Sequence, residues 1–118
     1  MTDLLFIFSH SPYGSSIAKE GLEAALAAGA FDQDIGVLFT GDGVWQLTKD
    51  HDTSNAGRKS HQKMAQALPM FGIEKIFIDE LSLTERGLTL RELALSGQAS
   101  SQENIQSLMA SAKHIISF

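Results

Sequence analysis

Apolar residues fall along this chain in two alternating patterns, short continuous runs and longer stretches of helical period. Leu4–Phe8 (LLFIF) is uninterrupted and apolar, as a strand covered on both faces must be. Ser9–Ser16 (SHSPYGSS) is turn-rich. From Ser16 to Ala28, Ile17, Leu22, Ala25 and Leu26 mark one face of a helix that Gly29 should stop. Ile35–Phe39 (IGVLF) predicts a second strand. The polar stretch 48–63 leads into a helix with Met64, Ala65, Leu68 and Phe71 on its apolar face, which Pro69 should disturb or end. Lys75–Asp79 (KIFID) predicts a third strand. A helical turn over Leu81–Arg86, with Glu85 and Arg86 exposed, closes at Gly87, and Glu92–Leu95 alternates enough for a weaker fourth strand. Ser100 and Glu103 stand at capping-box spacing before a helix from about Gln102 to Ala112, and the last five residues, HIISF, predict a closing strand.

The order βαβαβ(α)βαβ implies a mostly parallel five-stranded sheet with helices on both faces, because each parallel crossover needs a helix and is right-handed. That is a three-layer α/β/α sandwich, read as one domain over residues 1–118. Functional loops of such a sheet lie at the carboxyl ends of its strands, here beginning at Ser9, Thr40 and Asp79.

Charge and cysteine content narrow the chemistry. Nine Lys+Arg against fourteen Asp+Glu leave a formal charge of -5, with no basic stripe to neutralise several phosphates, so direct nucleic-acid binding is not expected. The amino terminus lacks a basic n-region and no apolar run approaches bilayer length, which reads as a cytoplasmic protein without a membrane partner. The chain has no cysteine, which removes disulfides, thiolate zinc sites and a thiolate nucleophile of its own.

Three stretches carry candidate chemistry. In the first loop Ser9, Ser11, Ser15 and Ser16 offer hydroxyls and Gly14 allows close backbone approach, an arrangement open to a flavin or another phosphate with Tyr13 or Trp45 stacking on the ring. Pro12 removes a donor there, and Ser15 or Ser16 capping a helix is the simpler reading. In GDGVWQL, Gly41 and Gly43 flank Asp42, while Val44, Trp45 and Leu47 suit packing on the domain or on another subunit. A hydrolase pairing Asp42 with His10 ranks last, since no nucleophile elbow or acid pair accompanies it. Of the histidines, only His51, between Asp50 and Asp52, offers a metal reading, and only if the fold brings His10 to it.

Taken together, FIFSHSPYGSSIAKEGLEAALAAGAF, VLFTGDGVWQL and LTERGL resemble the DsrE/DsrF family, and within it the TusC/DsrF branch, over nearly the whole chain. The resemblance implies a flavodoxin-like (DsrEFH-like) fold. It implies membership of a heterohexamer with TusB-like and TusD-like (DsrH-like and DsrE-like) sister subunits, relaying persulfide sulfur to a downstream carrier for wobble 2-thiouridine synthesis or serving sulfur oxidation. In the catalytic sister the persulfide cysteine lies between the third strand and the segment ending in RG, where this chain has FIDELSLTERG, with Asp79 or Glu80 near that place. A carboxylate cannot carry a persulfide. The resemblance therefore implies a noncatalytic subunit with no cofactor, whose loop residues Ser9, His10, Asp42, Val44, Trp45, Leu47, Asp79 and Glu80 are candidates for contact with a neighbour. The alternative is a small-molecule module binding flavin or phosphate through Ser9 to Ser16.

Overall fold

The computed structural model describes residues 2–12, 15–31, 34–48 and 56–118, with the side chains of 56–60 outside that description. Its sheet has five strands, all parallel, in the order β4-β3-β2-β1-β5. β1 (Leu4–Phe8), β2 (Ile35–Phe39) and β3 (Lys75–Asp79) coincide with the expected runs, and β5 (His114–Ser117) with the closing strand. Each step from β1 to β4 moves one place along the sheet. The last crossover, α4 (Gln102–Ser111), returns the chain to the free side of β1.

Period-two alternation divides the strands between two cores. On one face Phe6, Phe8, Val37, Phe39, Ile76 and Ile78 meet the apolar sides of α1 (Ile17–Gly29) and α2 (Ala56–Gln66). On the other, Leu5, Ile7 and Leu38 pack beneath Ile105 of α4, with Phe77 and Leu108 at the margin. One face thus carries most of the helical cover and the other a single helix. Phe118 follows β5 into the larger core, its ring 6.3 Å from Phe6 and 6.2 Å from Phe8. Gly21 explains how α1 fits above them, since a Cβ there would lie 2.7 Å from Phe8 and 2.8 Å from Phe118.

Three expectations need correction. The fourth strand is Gln98–Ser100, not Glu92–Leu95. Leu90–Glu92 forms a 3₁₀ turn closed by a Thr89/Glu92 capping box, and the Leu93/Leu95 alternation records burial of the following loop. Leu93 makes a lone antiparallel bridge to Thr48, and the Ala94 N–H donates to the Leu47 carbonyl at 2.7 Å. The cap of α4 is Ser101, whose Oγ accepts from the Asn104 N–H at 3.2 Å. Ser100 ends β4, fully buried, so the cap falls one residue later than expected. Gly29 ends α1 as expected. A Cβ there would lie 2.7 Å from the Phe71 carbonyl, so the missing side chain admits the 3₁₀ segment Leu68–Phe71 against the helix end. Finally, Arg86 is half-buried and ion-paired, not exposed. Pro69 acts as expected: α2 ends at Gln66, and Pro69 opens the following 3₁₀ segment.

Candidate functional site: the carboxyl end of the sheet

α3 (Glu80–Glu85) begins directly after β3 and α4 directly after β4, on opposite faces of the sheet. Adjacent parallel strands whose onward connections diverge leave a crevice at their carboxyl ends, where ligands of such folds bind. In this protein Asp79 closes that crevice.

Asp79 is 6% exposed and is the N-cap of α3, its Oδ1 accepting from the Leu81 N–H at 3.2 Å. The same oxygen accepts from Gln102 Nε2 at 2.8 Å, which brings in the first turn of α4. Its Oδ2 accepts from Thr40 Oγ1 at 2.8 Å and from Ser82 Oγ at 2.7 Å. Ser82 Oγ in turn accepts from the Gly41 N–H at 2.8 Å. Four donors converge on one carboxylate, the number of lone-pair sites it offers. A buried carboxylate whose lone pairs are all taken up by donors joins β2, β3, α3 and α4, and is not poised to attack anything. Glu80, the next residue, is exposed.

The GDGVWQL stretch folds as one 3₁₀ segment, Gly41–Leu47, laid across the end of β1. Gly41 sits at φ 54°, in the region glycine favours, and a Cβ on Gly43 would fall 1.9 Å from the Phe8 carbonyl oxygen. Both glycines are therefore steric requirements of that crossing. Three residues per turn put Asp42 and Trp45 on one outward stripe. Val44 and Leu47 turn inward, 0% and 1% exposed in the larger core, so their surface is spent within the chain and none is left for a partner. Asp42 pairs with Arg86, its Oδ1 accepting from Nε at 3.2 Å and Nη2 at 3.0 Å, while Nη1 donates to the Ser82 carbonyl at 3.1 Å. The acid of GDGV and the base of ERGL, forty-four positions apart, thus clasp each other.

Gln46 and His61 form a polar link that sequence reasoning did not find. Gln46 is buried; its Nε2 donates to the His10 carbonyl at 2.8 Å and its Oε1 meets His61 Nε2 at 3.0 Å. With the amide nitrogen committed to a carbonyl, His61 must be the donor, which fixes its Nε2–H tautomer. Burial pushes the His61 pKa below its ordinary value. A glutamine among apolar residues and a histidine in a polar stretch carry no periodic signal that would announce the pair.

The first loop is less tied. Ser9 and His10 are exposed, with Ser9 Oγ 3.5 Å from His10 Nδ1 and 3.4 Å from the Phe118 carbonyl. Tyr13 and Gly14 lie outside the described residues, as do Asp50, His51 and Asp52 of the metal reading. At the start of α1, Ser16 Oγ donates to Glu20 Oε1 at 3.1 Å, and the Ile17 N–H reaches Ser15 Oγ at 3.4 Å. A phosphate approaching this helix end meets the Glu20 carboxylate in its first turn. Among the described residues no cluster of three metal-ligating side chains occurs.

Comparison with known proteins fits this geometry. The sequence profile of the DsrE/DsrF-like family matches residues 2–118. The chain belongs to the DsrE/DsrF-like family. It is 36% identical to a "Protein TusC homolog" of Vibrio parahaemolyticus over 118 residues, all of both chains. It is 37% identical to a Pseudomonas aeruginosa protein of the same description, covering 96% of this chain and 95% of the other. With the "Intracellular sulfur oxidation protein DsrF" of Allochromatium vinosum it shares 38% identity over 92% of this chain and 84% of that one. The crystal structure of the ychN protein from E. coli superposes over the whole of both chains with a TM-score of 0.82 at 16% identity, which shows the fold. The DsrE/DsrF-like α/β sandwich is thus shared. No helix among the described residues is long and apolar enough to cross a membrane.

Proposed function

We propose that this chain is a noncatalytic subunit of a cytoplasmic heterohexameric sulfurtransferase, assembled with TusB-like and TusD-like sister subunits and serving wobble 2-thiouridine synthesis. The observation that carries the reading is the pairing of a cysteine-free sequence with the Asp79 hub. Persulfide relay needs a thiolate to take sulfane sulfur and release it to the next thiol. Here the last residue of β3, Asp79, is a carboxylate whose oxygens are occupied by Thr40, Ser82, Gln102 and the Leu81 N–H. The subunit contributes shape in place of chemistry: the hub and the Asp42–Arg86 clasp fix the carboxyl-end surface that a neighbour bearing the active cysteine reads. Trp45, half-buried on the outward stripe with Asp42, is the anchor offered to that neighbour, and the exposed Ser9, His10 and Glu80 follow β1 and β3 at the same end of the sheet. An acidic subunit suits a tRNA-modifying pathway in which a protein carrier takes the sulfur onward and another protein holds the tRNA.

Co-expression with the two sister subunits tests this. Labelled sulfane sulfur should appear on the sister's cysteine and pass to the carrier only when this chain is present, and Trp45→Ala should weaken association by about 2 kcal/mol. Full assembly and transfer in its absence would contradict the reading.

A further inference from the structure

The two borders of the sheet are finished differently. β4 is three residues long, polar, and flanked by the buried Leu93–Leu95 loop, so its free edge is short. β5 has four residues, all exposed, with no Pro, Lys, Arg, Asp or Glu in positions 114–118. Natural border strands are normally blunted by charge, proline, a bulge or a covering element. β5 carries none of these among the described residues. In its parallel pairing with β1 the His114 N–H donates to Asp3 and the Phe118 N–H to Ile7. The backbone groups of Ile115 and Ser117 therefore point outward along the free edge.

Three exposed apolar side chains surround this edge. By register Ile115 lies beside Leu5 on the α4 face of the sheet, and Ile116 beside Phe6 on the other face. They are 40% and 39% exposed, and Met109, one turn beyond the buried Ile105 of α4, is 41% exposed. Charge is sparse along the two elements that form this edge, α4 and β5. Of fourteen Asp+Glu and nine Lys+Arg, only Glu103 and Lys113 fall in residues 102–118, and Lys113 is paired with Asp3 at 3.2 Å.

We propose that β5 pairs antiparallel with β5 of a second copy of this chain about a two-fold axis normal to the sheet, making one ten-stranded sheet. Two molecules of charge -5 repel over most of their surface, and this neutral border is where they approach at least cost. The geometry is self-complementary. Pairing Ile115 with Ser117 of the second copy uses the outward N–H and C=O groups of both, and places Ile116 against its own equivalent. A two-fold normal to the sheet keeps both α4 helices on one side, so Met109 and Ile115 cover the seam there while Ile116 covers it on the other side. This interface lies at the border of the sheet, apart from the carboxyl-end surface, and does not depend on the relay reading.

Sedimentation equilibrium of the isolated full-length chain tests it. The expected result is a dimer whose association changes little with salt. Ile115→Lys and Ile116→Lys should each raise the dissociation constant by at least about tenfold by bringing like charges to the seam. Circular dichroism melting of both variants checks folding, which substitution at half-exposed side chains should preserve. Hydrogen exchange on the unmodified protein supplies an independent reading: the Ile115 and Ser117 amides should gain protection as concentration rises. A monomer at every concentration, a dimer indifferent to both substitutions, or protection that appears only with a different chain would each overturn the proposal.

Discussion

The loop after β1 and the pair of segments after β2 and β3 end on the same side of one sheet, yet they are built in opposite ways. Thr40–Leu47 and Asp79–Arg86 are bound into each other by the Asp79 carboxylate, the Ser82 hydroxyl and the Asp42–Arg86 ion pair. The loop from Ser9 carries more hydroxyls and looks more like a ligand cradle, but Ser9 Oγ reaches the Phe118 carbonyl only at 3.4 Å and Ser16 bonds locally to Glu20. An inventory of polar residue types would place function in the first loop. The hydrogen bonds place rigidity in the second region, and a rigid surface is what a subunit without its own nucleophile has to offer a neighbour.

The difference can be broken first at Gly43. With the Phe8 carbonyl oxygen 1.9 Å from where its Cβ would stand, Gly43→Ala must push the 3₁₀ segment off β1, and a loss of about 4 kcal/mol in chemical denaturation is expected. Asp79→Ala comes next. It strands two hydroxyls, an amide and a backbone N–H in a buried site, and about 3 kcal/mol should be lost, with Asp79→Asn losing less because it still accepts at one oxygen. Were Asp79→Ala as stable as the parent, the hub would not be what holds these elements.

His61 sharpens the comparison through pH. Its folded pKa lies below the unfolded value of 6.5, so between the two the unfolded chain binds a proton that the folded chain refuses. Its contribution is complete above the unfolded pKa and is lost as pH falls through 6.5 toward the folded pKa, by at most about 1.4 kcal/mol per pH unit. Stability measured across that window should fall with acidification, and His61→Gln should flatten that part of the curve. The smallest effect belongs to the clasp: the Asp42 side chain is 62% exposed, so Asp42→Asn should cost less than about 1 kcal/mol and less again in high salt. A larger loss would mean that the clasp, and not the hub, fixes the surface.

Much of the fold was legible because its strands are covered on both faces and read as continuous apolar runs, Leu4–Phe8 and Ile35–Phe39 above all. The border strand β4 was not legible. A short polar edge has no apolar signal, whereas the buried Leu93 and Leu95 imitate one. At the site, Asp79 before a short helix could be read as a cap, but its other partners come from Thr40 and Gln102, distant in sequence. The order of the family motifs pointed to the right family without revealing that Asp42 and Arg86 face each other. For Val44 and Leu47, apolar residues in a glycine-flanked loop suit either a core or an interface, and only the packing separates the two.

The most direct test of the central claim, that this chain serves a relay through its shape and its neighbours, is native mass spectrometry of the tagged protein purified gently from its own host. The account predicts co-purification with TusB-like and TusD-like chains in equal amounts, at a mass near that of six chains. A species containing only copies of this chain, above all one carrying a bound flavin or phosphate compound, would contradict it.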